Sequence, residues 1–178
     1  TDRRTSMVEI DWKEAEKFFL EASVNTYAAG ATPATIPTLP SSKVLTYERW
    51  PFRYVDVYFT SPIGESWGCA LLYHEAFLPR PIWRLCYDGW YDRRDQRITA
   101  FLRLALAAGY QSGEFIGGRG PQVFISEEFP GLIYYNHPTS KDFLKPAGRD
   151  AIVIEGARGS ARERYWHEYH GGILIAEE

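Results

Sequence analysis

The chain has 178 residues, 45% hydrophobic and 16% aromatic, with a formal net charge of −3. That is material for one buried core, so residues 1–10 read as an N-terminal extension and 11–178 as a single domain. Its 20 Lys and Arg are scattered rather than massed, which argues against direct nucleic-acid binding, and no apolar run reaches the ~18 residues of a membrane span.

The N-terminus lacks the charged, apolar, small-residue order of a signal peptide, so a cytoplasmic setting is expected. Met7 is the only methionine, so residues 1–6 read as added residues or as a trimmed natural terminus. Cys69 and Cys86 are too few for a disulfide framework and are expected as reduced, strand-buried thiols. They face one another if their segments form a hairpin turning near Leu78.

In chain order, Asp11 followed by Glu14 has the form of a helix cap, and Trp12, Ala15, Phe18, Phe19 and Ala22 then recur at helical spacing, predicting a helix over 12–24. Residues 27–42, with Gly30, Pro33, Pro37 and Pro40, predict a long loop. From Lys43 the period changes to two. Over 52–59 one face carries Phe52, Tyr54, Asp56 and Tyr58, the other Arg53, Val55, Val57 and Phe59, a pattern that suits a sheet covered on both sides.

Strands are predicted at 67–74 and 81–87. A second helix follows, with Ile98, Phe101, Leu102, Ala105 and Leu106 on one stripe, Asp92 or Asp95 as cap and Gly109 as stop. Short strands are expected at 122–125, 132–135, 151–155, 164–169 and 172–175. Two helices among seven to nine strands without regular alternation define an α+β domain with a curved antiparallel sheet. No internal repeat is visible.

The candidate chemistry centres on Asp56, in phase with Tyr54 and Tyr58 on an aromatic strand, where desolvation raises a carboxylate's pKa unless a base such as Arg49, Arg53 or Arg84 pairs with it. The bland reading is a structural acceptor for Tyr hydroxyls or an Arg. In 166–172 the imidazoles of His167 and His170 fall on opposite sides of a strand, a poor metal site. His170 reads as a general base or as a hydrogen-bonding core histidine. The run from Gly117 to Gly120 reads as a flexible turn rather than an anion cradle, because no Lys-Ser/Thr ending follows. No Gly-x-Ser-x-Gly, His-Glu-x-x-His or dinucleotide fingerprint occurs, and no metal or other cofactor is expected.

The order of Phe19-Leu20-Glu21-Ala22 with Thr26-Tyr27-Ala28, Tyr54-Val55-Asp56 with Tyr58-Phe59, Trp67-Gly68, Pro81-Ile82-Trp83 with Tyr87-Asp88-Gly89, Phe101-Leu102 with Ala105-Leu106, and Tyr169-His170-Gly171-Gly172 resembles a bacterial domain family of unknown function. That family occurs alone and behind the helix-turn-helix of some transcriptional regulators. The chain departs from its pattern in the Pro-rich loop at 31–42 and around 73–80. The resemblance implies an α+β fold, a bacterial cytoplasmic setting and a sensor role, with no helix-turn-helix in the chain itself.

Three functions follow as expectations. The first is a domain binding a cationic or amphipathic small molecule in an aromatic pocket walled by Tyr54, Asp56, Tyr58, Trp83 and Tyr87, with His170 near its mouth. The second is a homodimer or protein-interaction module whose aromatic surface is the interface. The third is a metal-independent acid-base enzyme using Asp56 and His170, which requires both in one cavity.

Overall fold

Asp11 starts the first helix, α1 (Trp12–Asn25), because its Oδ1 accepts the backbone N–H groups of Lys13 at 3.0 Å and Glu14 at 3.1 Å. Ala15, Phe18, Phe19 and Ala22 form its buried stripe. In α2 (Arg97–Gln111) the buried stripe is Ile98, Phe101, Leu102, Ala105 and Leu106. Gly109 does not stop this helix. A Cβ there would lie 2.7 Å from the Gly120 Cα, so the glycine serves a close approach, and Gly113, at φ 73°, follows the end instead. The computed structural model describes residues 9–156 and 160–175. Of the expected extension only Glu9 and Ile10 fall within them, and Ile10 is part of the core.

The strands are β1 (Lys43–Arg49), β2 (Phe52–Thr60), β3 (Glu65–His74), β4 (Pro81–Tyr91), β5 (Val123–Ile125), β6 (Leu132–Ser140), β7 (Ala147–Glu155) and β8 (Ala161–Ile173). They form one antiparallel sheet in the order β1-β2-β3-β4-β8-β7-β6-β5. The fold is α+β: two helices on a curved antiparallel sheet that does not close into a barrel. Each half of the chain is a helix followed by a four-stranded meander, and the meanders join through their last strands, β4 and β8. This duplicated topology has no visible trace in the sequence.

The sequence splits 164–175 into two strands at Gly171-Gly172, but β8 runs through them. A side chain at Gly171 would run into the Arg84 carbonyl of β4, so this glycine permits close pairing at the seam rather than ending the strand. A second correction concerns the faces. Both helices cover the face of Tyr54, Asp56, Leu72, Leu85 and Tyr165, where the core lies. The opposite face, with Val55, Val57, Phe59, Leu71 and the 44%-exposed Trp67, carries no helix. Cys69 stands directly opposite Cys86 on that uncovered face, both half-buried free thiols. No helix among the described residues is long and apolar enough to cross a membrane.

Candidate functional site

Between the two helices and the sheet lies a cavity of about 160 Å³ that runs along β2. Period two sends Tyr54, Asp56, Tyr58 and Thr60 to the helix-covered face, and all four line it. Burial falls along the strand: Tyr54 and Asp56 are 4% and 5% exposed, Tyr58 and Thr60 only half-buried, so the cavity deepens toward Asp56 and opens toward Thr60. Phe19 and Ser23 of α1 and Leu102 and Leu106 of α2 roof it.

Tyr87 reaches Asp56 from two strands away, its hydroxyl donating to Oδ1 at 2.7 Å. The strand between supplies Gly68, directly opposite both Tyr58 and Tyr87. A Cβ at Gly68 would stand 2.7 Å from the Tyr87 hydroxyl, so the missing side chain is what lets the phenol lean across β3. None of the bases expected to neutralise Asp56 does so. Arg49 pairs with Glu21 at 2.9 Å, Arg53 pairs with Glu48 at 2.7 Å, and Arg84 projects from the uncovered face. Burial pushes the Asp56 carboxyl up from the ordinary 3.8 to about 6, against the pull of the Tyr87 hydrogen bond and the more distant Arg119. Burial likewise raises Tyr58 to about 12 and Tyr54 and Tyr87 well above the usual phenol range, so the wall is made of hydroxyls that keep their protons.

The far wall belongs to the second half of the chain. Tyr165, His167 and Tyr169 alternate on β8 and so share the covered face. Arg119 enters from the segment 115–120, which is buried throughout and held by Gly117 and Gly118 at φ 70° and 81°. The flexible surface turn expected there is instead an interior strut. The Arg119 Nε donates to Asp150 Oδ2 at 3.0 Å and its Nη2 to the Tyr165 hydroxyl at 2.7 Å, while Tyr134 donates to the same carboxylate at 2.9 Å. The guanidinium lies 5.4 Å over the Tyr87 ring, and Tyr87 stacks on His167 with ring centroids 5.4 Å apart.

His167 is 5% exposed and lines the cavity. Its Nδ1 lies 2.9 Å from the Tyr165 hydroxyl and 3.4 Å from Arg119 Nη2. A guanidinium has only donors to offer, so Nδ1 presents its lone pair and Nε2 carries the hydrogen. That buried Nε2 has no hydrogen-bond partner. Burial first, then the Arg119 charge, holds the imidazole well below its ordinary pKa and therefore neutral.

Of the residues expected from the sequence, Tyr54, Asp56, Tyr58 and Tyr87 do come together on the cavity. Trp83 does not: it is wholly buried behind it, stacked on Phe143 at 4.6 Å with its indole N–H on the Phe143 carbonyl at 2.6 Å. His170 does not either. Three residues from His167, it emerges on the uncovered face, paired with Cys86 across the seam. The sheet thus separates His170 from Asp56, and the acid-base pair expected of them is not formed.

His167 and Arg119 are the residues sequence reasoning missed. The Tyr165, His167, Tyr169 alternation was the available signal for the first; Arg119 had none, because its partner lies 31 positions away. Among the described residues no cluster of His, Cys, Asp or Glu could hold a metal ion. Comparison with protein-family models, curated proteins and solved structures finds no match to this chain.

Proposed function

We propose that the chain is a small-molecule-binding domain whose ligand occupies the cavity beside Asp56. The observation that carries this reading is Asp56, a buried carboxylate satisfied by a single phenol, on the wall of a cavity that Tyr54, Tyr58, Tyr87 and His167 also line. Leaving a buried polar group under-satisfied costs about 1–3 kcal/mol, so a bound donor at Asp56 relieves a standing penalty. The volume decides the ligand's size: a dry cavity of about 150 Å³ takes one benzene ring. Asp56 and the aromatic wall select a ring bearing an amine or another strong donor. The same role agrees with the sensor function that the family resemblance implies.

A thermal-shift screen of single-ring amines and phenols tests this. A compound at one hundred times its Kd stabilises by about 2.7 kcal/mol, a rise in Tm of roughly 5–10 °C for a chain of this size. Ala70 lines the cavity floor, and Ala70→Leu should remove the rise by filling the space. A panel that leaves Tm unmoved in the wild-type chain counts decisively against the reading.

A second reading, a homodimer, has its own support in the uncovered sheet face, where Phe59 and Trp67 stack at 5.4 Å beside Val57 and Leu71. Sedimentation velocity at rising concentration distinguishes a dimer, weakened by Trp67→Glu, from a monomer at every concentration.

A further inference from the structure

We infer that the ligand of this cavity carries an anionic group at its outer end, held by Lys43 and Arg103, with its donor end inward at Asp56. The inference rests on the small-molecule reading above and adds the ligand's polarity. Lys43 at the start of β1 lies opposite Tyr58 and points to the same covered face; its Nζ donates to Thr60 Oγ1 at 3.0 Å and sits 5.4 Å from the Tyr58 ring. Arg103 comes down from α2 with its guanidinium 5.5 Å over the Tyr27 ring. Both line the cavity, Lys43 half-buried and Arg103 exposed, at the end where Thr60 marks the opening.

Neither cation has a carboxylate partner among the described residues, although seven ion pairs form elsewhere. Burial, and after it the like charges of Arg93 and Arg103, lowers the pKa of Lys43, so positive charge converges on this rim. Asp56 does not neutralise it: that carboxylate is at the deep end, bonded to Tyr87. Arg119 is unavailable to a ligand in the same sense, because Asp150 and Tyr165 occupy it. A deep carboxylate and two cations at the opening match one kind of molecule: an aromatic ring with an amine or hydroxyl at one end and a carboxylate or phosphate at the other.

The test uses matched probes that differ only in the outer group: benzylamine against 4-(aminomethyl)benzoate, and tyramine against tyrosine, titrated calorimetrically into the full chain. Two partly solvated ion pairs predict that the carboxylate member binds about tenfold tighter, some 1.4 kcal/mol, an advantage that shrinks in high salt. In Lys43→Met/Arg103→Met the advantage should fall below about twofold. Equal binding of both members, tighter binding of the plain amine, or an advantage that survives in the double variant overturns the outer anion site while leaving the small-molecule reading standing. If neither member of either pair binds and the wider amine and phenol screen is also silent, both fall together. Proton NMR of the double variant confirms that it is folded before any loss is scored.

Discussion

The two halves of the sheet each bury one carboxylate on the helix-covered face, and they treat it in opposite ways. Asp150, on β7, is entirely enclosed and takes hydrogen bonds from Arg119 and Tyr134. Asp56, on β2, takes one from Tyr87 and otherwise faces a cavity. Burial alone therefore does not mark a functional group. A saturated buried charge holds the structure together, whereas an under-compensated one beside empty space is held ready for something else. The halves meet where Arg119 and His167, themselves 3.4 Å apart, both pack against the Tyr87 ring, so the matched site buttresses the unmatched one.

The largest expected effect tests the matched side. Arg119→Met leaves the Asp150 charge enclosed without its cation and should destabilise the fold by about 3–5 kcal/mol in urea denaturation. A cost below about 1 kcal/mol would mean the pair is not structural, and the contrast between the halves disappears.

Asp56→Asn should act in the other direction. With a folded value of about 6 above the ordinary 3.8, Asp56 contributes stability in acid that is lost as pH rises through that window. Above pH 6 the displacement corresponds to roughly 3 kcal/mol against the ionised folded form. The variant should therefore be more stable than wild type at pH 7, by up to roughly that amount, and equal to it at pH 3.5. Chemical denaturation at the two pH values gives the difference, and a variant less stable at pH 7 refutes the assignment of Asp56 as an uncompensated charge.

His167→Phe is the smallest effect and has the opposite pH sign. Its folded pKa is depressed, so the stability it contributes is present above about 6.5 and is lost as pH falls, when the unfolded imidazole takes a proton that the buried one refuses. Replacing it should change stability by less than about 1 kcal/mol at pH 7.5, since an unsatisfied donor leaves with it, and should make the variant relatively more stable at pH 5. A histidine proton titrating near its ordinary pKa in the wild-type NMR spectrum, and absent from the variant's, would show that His167 is neither dry nor neutral.

Much of the fold was legible because it is local. The stripe of Ala15, Phe18, Phe19 and Ala22 and the alternation over 52–59 are consequences of 3.6- and 2-residue periods, and the same period that puts Tyr54, Asp56 and Tyr58 on one face also separates His167 from His170. Glycines were misread where their purpose was a neighbour far along the chain. Gly109 looked like a helix stop and Gly171 like a strand break, while each makes room for backbone from another element. The Gly117 to Gly120 run looked like a flexible turn for the same reason.

By itself the sequence determined the elements, the α+β class and which side chains of one strand share a side. Only the tertiary structure decided which side of the sheet the helices cover, and with it that Asp56 and His167 are inside while His170 and Trp67 are outside. It alone brought Arg119 to Asp150 and set Lys43 from β1 and Arg103 from α2 at one opening. Periodicity is written in neighbouring residues; coverage and charge compensation depend on contacts between residues dozens of positions apart, which no local pattern encodes.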